Sequence, residues 1–182
     1  MIENPDQLIA DFRDAASRAG IVGWPCTVRT DVRRAPHTQP TLPAGFAAVY
    51  VFALSREAGK KAPARAGAVL KVGRVGPNSG ARFTSQHYSP GSARSSLARS
   101  LIRYRVMWPW LGVESIDEAN VRTWMTENLD RFHFFVATGH DEVLAELEVY
   151  VRARGFGIRR CCLTRLPLNA LFCRDPSVRT CR

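Results

Sequence analysis

The residues best suited to chemistry lie in one short stretch, Leu70–Tyr88, with the sequence LKVGRVGPNSGARFTSQHY. A short apolar strand runs into a glycine turn there, and an arginine, a histidine and a tyrosine follow. Between Glu57 and Glu114 the chain carries ten basic residues and no acidic one, which accounts for the whole net charge of +10. Such localised charge is typical of a polyanion-binding face, and nucleic acid is the commonest polyanion. The alternative is a solvated basic loop.

The bulk composition predicts one ordinary globular domain. A chain of 182 residues with 46% hydrophobic residues can bury a core without disulfides. No run approaches the roughly 18 apolar residues of a membrane span, and the acidic start MIENPDQ is unlike a signal peptide, so we expect a cytoplasmic protein. The five cysteines form no CxxC pair and are predicted to be reduced rather than to bind zinc.

The elements that must position these residues follow from periodicity. Asn4-Pro5 predicts the start of an amphipathic helix, and the proline-containing stretch Cys26–Gly45 is interpreted as a connecting arm. Two apolar runs, Phe46–Leu54 and Gly67–Arg74, predict an antiparallel hairpin, and Arg131–Thr138 predicts a third, central strand.

Four helical segments are predicted around these strands. A short one carries Arg82–Tyr88, and a second runs from a Ser92 cap to about Val106 with Leu97, Leu101 and Tyr104 facing inward. The others are Ile116–Leu129 and Asp141–Arg154. The expected fold class is therefore α/β (α+β), with helices on a small sheet.

Four short motifs in this order resemble the GIY-YIG nucleases: Ala48-Val49-Tyr50, Lys71-Val72-Gly73, Arg82 and a glutamate in the late helix. The resemblance covers about residues 46–169. It implies a three-stranded antiparallel sheet flanked by helices in a nuclease domain at 46–172. An N-terminal helix and arm at 1–45 would precede that domain, and a cysteine- and arginine-rich tail at 173–182 would follow it.

The resemblance also implies roles. Tyr50 would position or deprotonate the attacking water, and Arg82 would contact the scissile phosphate with its forked guanidinium. One carboxylate, Glu148 or alternatively Glu146, would hold a single Mg²⁺ or Mn²⁺. Asn169 and Gly73 would support the site.

Two positions depart from the usual family pattern. Lys71 stands where most members have tyrosine, and it could activate water or bind phosphate if its pKa is lowered. The family tends to place a histidine or tyrosine four positions after the arginine, for proton transfer. Here that position is Gln86, so His87, with Tyr88 second, is predicted for that role. The arginines predicted to contact DNA are Arg74, Arg94, Arg99 and Arg103.

These inferences predict a metal-dependent endonuclease acting on DNA, with RNA a less favoured substrate. One alternative is a catalytically inactive nucleic-acid-binding module of the same fold. Another is an unrelated basic protein that binds RNA, a ribosome or an acidic partner. The segments outside the resemblance could set specificity or form a homodimer.

Overall fold

The computed structural model describes residues 2–20, 27–56, 58, 66–92, 96–105 and 116–155. The predicted site residues Arg94 and Asn169, and the predicted tail at 173–182, lie outside these ranges. In chain order the elements are α1 (Pro5–Arg18), β1 (Arg29–Arg33), β2 (Phe46–Leu54), β3 (Val69–Val75), α2 (Gly80–Thr84), a 3₁₀ turn (Gln86–Tyr88), α3 (Leu97–Arg103), α4 (Val121–Asn128), β4 (Leu129–Ala137) and α5 (Asp141–Gly155).

The sheet has four strands in the order β1-β4-β2-β3, and every neighbouring pair is antiparallel. The prediction of three strands is therefore wrong. The extra strand, β1, lies within the predicted connecting arm and pairs with β4 at one edge. Its sequence RTDVR is short and only half-buried, and it has no clear hydrophobic pattern. Its strand conformation therefore depends on pairing with β4. The predicted hairpin of β2 and β3 is confirmed, and β4 is internal as expected.

Both faces of the sheet are covered, which explains the nearly continuous apolar sequence of β2. Alternate residues of β2 point to opposite faces. Ala47, Val49, Val51 and Ala53 pack with α1 and α5, whereas Ala48, Tyr50, Phe52 and Leu54 pack with α2, α3 and α4. The N-terminal helix and β1 thus contribute to the same core and sheet as the hairpin.

All five predicted helical segments contain helix, and their predicted bounds are confirmed for α1 and α5 but not for the segments between them. The side chain of Asn4 caps α1 by accepting from the amides of Asp6 at 3.0 Å and Gln7 at 3.1 Å. The cap of α3 is Ser96 rather than Ser92, and its hydroxyl accepts from the Arg99 amide at 3.1 Å. Tyr104, predicted to face inward, is 42% exposed.

Helix α4 starts at Val121, five residues after the predicted start at Ile116. The Asp117 side chain accepts from the amides of Ala119 and Asn120 and forms a turn that delays the helix. The predicted end, Leu129, is the C-cap of α4 and also the first residue of β4. No helix within the described part of the chain is long and apolar enough to cross a bilayer.

The packing of α1 on the sheet can be tested at Phe12, which is fully buried and contacts the Tyr150 ring of α5 with centroids 5.2 Å apart. Phe12→Ala should lower the free energy of unfolding by about 3–5 kcal/mol, because it removes a large buried ring and leaves a cavity. Urea denaturation measures this change. The matched control is Arg13→Ala, an exposed position of the same helix. Equal stability of the two variants would contradict a shared core.

Candidate active site

An open cleft of about 630 Å³ lies at the β3 edge of the sheet. Strand β3 supplies Lys71–Val75, and β2 supplies Tyr50. The turn after β3 supplies Gly76 and Ser79, and α2 supplies Arg82. Helix α5 supplies Asp141, Leu144, Glu148 and Arg152. The cleft therefore brings together six of the predicted site residues: Tyr50, Lys71, Gly73, Arg74, Arg82 and Glu148.

Tyr50 reaches this cleft because the residue opposite it has no side chain. Tyr50 and Gly73 are register partners in the β2–β3 pair. A Cβ atom on Gly73 would lie 2.5 Å from the Tyr50 hydroxyl oxygen and 2.7 Å from Cζ, closer than real Cβ contacts. The ring thus lies across the glycine, and Tyr50 lines the cleft although it is itself buried.

His87 lies directly behind Tyr50, with its Nε2 atom 2.6 Å from the tyrosine hydroxyl. Both residues are buried. Helix α2 ends at Thr84, and the 3₁₀ turn that follows directs His87 inward while Gln86 is exposed. An uninterrupted α-helix would have placed Gln86 on the face of Arg82 instead. The helix break is thus the physical reason that the histidine lies one residue later.

The His87–Tyr50 pair is uncharged at neutral pH. Burial, together with the smaller effects of the charges of Lys71, Arg131 and Arg82, lowers the pKa of His87 to about 3. Burial raises the pKa of Tyr50, although Arg82 and Arg131 oppose that rise. Nδ1 of His87 is buried and has no hydrogen-bond partner within the described part of the protein.

Tyr88, the second candidate for proton transfer, does not line the cleft. It is buried in the core, and its hydroxyl lies 3.4 Å from Nη1 of Arg131. Its role in the structure is therefore packing and hydrogen bonding with that arginine.

The cleft is positively charged near its floor. Lys71 is half-buried, and its pKa is lowered by burial and by the neighbouring charges of Arg82 and Arg152. Arg82 is exposed at the rim. An anion bound here would offset this mutual repulsion, so the cleft favours an anionic ligand.

Two acidic residues of α5, Asp141 and Glu148, line the cleft, and Glu148 is the one predicted to bind the metal. Its Oε1 atom lies 2.6 Å from Nη2 of Arg152, and its Oε2 atom lies 3.3 Å from Nε of Arg74. The alternative candidate, Glu146, does not line the cleft, and burial raises its pKa. Arg74, predicted to contact DNA, therefore also holds Glu148.

The remaining predicted DNA contacts on α3 lie outside the cleft. The Arg99 guanidinium donates to the carbonyls of Pro90 at 2.9 Å and Ser92 at 3.0 Å. It therefore holds the segment Pro90–Ser92 against α3. Arg103 is exposed, with its guanidinium 5.5 Å from the centre of the Tyr104 ring. Their contact with DNA stays a prediction.

Sequence reasoning missed several residues of the site: Ser79, Asp141, Arg152 and, beneath it, Arg131. One face of α5 carries residues spaced three or four apart, namely Asp141, Leu144, Glu148 and Arg152. Once Glu148 is assigned to the site, this spacing predicts that the other three residues lie there too. An arginine within the apolar sequence LDRFHFFVA was the available signal for Arg131.

Comparisons with protein-family models, with curated proteins and with solved structures find no match.

The contact between Tyr50 and Gly73 generates a first prediction for the site. Gly73→Ala should lower the free energy of unfolding by about 1–3 kcal/mol, because the added methyl displaces the tyrosine ring. The matched control is Gly76→Ala, where a Cβ meets nothing within 4 Å and which should change stability by less than about 0.5 kcal/mol. Thermal or urea unfolding distinguishes the two. Equal effects would mean that the ring does not lie across Gly73.

Two buried histidines generate a prediction about pH. The pKa of His133 is also lowered to about 3, by burial and by Arg131, against the opposing effect of Asp31. Unfolded histidine has a pKa near 6.5, so between about pH 3 and pH 6.5 the unfolded chain binds protons that the folded chain does not. Stability is therefore highest above pH 6.5 and is lost as the pH falls.

His87→Phe should remove one of these two contributions. The slope of unfolding free energy against pH, measured by urea titration between pH 4 and pH 6, should decrease by about 1.4 kcal/mol per pH unit. The control, Tyr50→Phe, removes the hydrogen bond but keeps the imidazole, so its slope should match wild type. An unchanged slope in His87→Phe would show that His87 is not held neutral.

Proposed function

We propose that this protein is a metal-dependent endonuclease that hydrolyses phosphodiester bonds in DNA, of the GIY-YIG type. The observation that carries the proposal is the convergence of Tyr50, Lys71, Arg82 and Glu148 on one cleft, with His87 bonded to Tyr50. The β2–β3 hairpin followed by α2 supports it, since these elements carry the first motifs of that family in the expected order.

Phosphodiester hydrolysis needs charge neutralisation on the phosphoryl oxygens and a water molecule that can lose a proton. Arg82 supplies a forked guanidinium at the rim, which suits two phosphate oxygens at once. Lys71 adds a second cation on the same side of the cleft. A phosphate held by both would lie beside the Tyr50 hydroxyl.

The Tyr50–His87 pair is suited to remove the proton from the attacking water. We assign the neutral His87 tautomer with its proton on Nδ1, so that Nε2 accepts from the Tyr50 hydroxyl. Tyr50 can then take a proton from water while it passes its own to His87. Phosphate binding offsets Lys71 and Arg82, two of the charges that lower the pKa of His87, so the substrate itself makes the histidine a better base.

Glu148 is the residue that would hold the metal ion. No group of three or more histidine, cysteine, aspartate or glutamate side chains suited to a metal occurs within the described ranges, so a multi-ligand protein cage is not available there. Mg²⁺ is commonly bound by one or two carboxylates together with phosphate and water, and Glu148 fits that donor set. Arg74 and Arg152 are half-exposed and can move aside from it. The ion would supply Lewis-acid stabilisation of the phosphoryl oxygens.

The second candidate function is a DNA-binding module without hydrolysis. The paired arginines on Glu148 favour it, because both carboxylate oxygens are already engaged by cations. Such a module would bind DNA in a salt-sensitive way, unaffected by EDTA or by Glu148→Gln.

The test is incubation of supercoiled plasmid DNA with Mg²⁺ and with EDTA. Wild type should nick or linearise the plasmid only with Mg²⁺. Arg82→Ala should lower the cleavage rate at least about 100-fold, because an electrostatic contact to the developing charge is lost. Glu148→Gln should lose cleavage by a comparable factor. The matched control is Glu142→Gln, an exposed carboxylate of the same helix outside the cleft, which should cleave like wild type.

Glu146→Gln, examined in the same assay, separates the two candidate metal ligands. Loss of cleavage in Glu146→Gln with full activity in Glu148→Gln would overturn the assignment of the ligand. Salt-sensitive DNA binding with no cleavage by any protein would instead favour the inactive module.

A further inference from the structure

The least expected charged residue of the fold is Arg131, which lies in the internal strand β4 and is completely buried. Its guanidinium carbon lies 4.6 Å from the centre of the Phe83 ring and 4.8 Å from that of Phe52. The Tyr88 and Tyr50 rings follow at 5.7 and 5.9 Å. No carboxylate of the described residues pairs with it, so four aromatic rings surround a buried cation.

Within the described residues, the hydrogen bonds of Arg131 go to residues that directly follow the proposed catalytic groups. Nη2 donates to the carbonyl of Phe83, the residue after Arg82. Nη1 lies 3.4 Å from the hydroxyl of Tyr88, the residue after His87. The Arg131 side chain thus bridges the backbone of α2 and the Tyr88 hydroxyl of the 3₁₀ turn.

This arrangement is costly for stability alone. Burying a cation without a carboxylate partner carries a large desolvation cost, and cation–π contacts offset only part of it. An apolar side chain of similar volume would fill the same space without that cost. A purely structural role does not explain why this buried cation lies beneath the cleft.

We propose that Arg131 is a positioning residue for phosphodiester hydrolysis: it holds the segments carrying Arg82 and His87 at a fixed separation and keeps His87 against Tyr50. This inference rests on the proposed function for its kinetic consequences. Arg131 does not touch the cleft, so it acts on turnover rather than on DNA affinity.

The test compares full-length wild type with Arg131→Met, which keeps the volume, and with Arg131→Lys, which keeps the charge but cannot bridge both acceptors. The matched control is Arg34→Met, a half-exposed arginine whose partner Asp130 precedes Arg131. Readouts are thermal unfolding, kcat and KM for Mg²⁺-dependent DNA cleavage, and the ring ¹⁵N spectrum of His87.

Arg131→Met should lower kcat at least about 100-fold and leave KM within about threefold, since only transition-state geometry is lost. The His87 Nε2 signal should shift as its hydrogen bond to Tyr50 loosens. Arg131→Lys should remain folded with kcat still reduced at least about tenfold. Arg34→Met should match wild type in both kcat and the His87 signal.

The proposal is overturned if a folded Arg131→Met protein keeps wild-type kcat and an unchanged His87 signal. It is overturned equally if Arg131→Lys restores full activity, because charge alone would then suffice. If Arg131→Met does not fold, the kcat and the His87 signal of Arg131→Lys test the proposal instead. If wild type does not cleave DNA, the proposed function fails, and the His87 spectrum of the variants alone decides whether Arg131 sets the His87–Tyr50 geometry.

Discussion

The site depends on one close approach: the Tyr50 ring lies across Gly73 at the edge of the sheet. Because Gly73 has no Cβ, the buried Tyr50 ring fits over β3 and lines the cleft. The same placement brings the hydroxyl to His87 on the covered side. A tyrosine on a buried internal strand can therefore join a solvent-accessible site to a protonation partner that water does not reach.

The location of the cleft follows from how the sheet is covered. Apolar residues fill both faces, so polar groups from the two faces can meet only beyond an edge strand. Helix α2 and the 3₁₀ turn approach β3 from one face, and α5 approaches from the other. Arg82 and Glu148 therefore line the same cleft at the β3 edge, even though each belongs to a different layer. The opposite edge is occupied by β1, which pairs with β4.

Features that local pattern determines could be predicted from the sequence. The β2–β3 hairpin, the caps and apolar faces of α1 and the extent of α5 follow from periodicity and capping. Strand β1 could not be predicted, because its stability comes from pairing with a strand about a hundred residues later. The inward turn of His87 and the burial of Arg131 likewise depend on a helix break and on aromatic packing between distant segments.

The most direct test of the account is the source of the oxygen in the cleaved product. A defined DNA duplex is cut by the wild-type protein with Mg²⁺ in H₂¹⁸O, and the terminal phosphate is analysed by mass spectrometry. Water activated in the cleft predicts one ¹⁸O atom on that phosphate at each cut. Absence of cleavage, or product phosphates that carry only ¹⁶O, would contradict hydrolysis at this site.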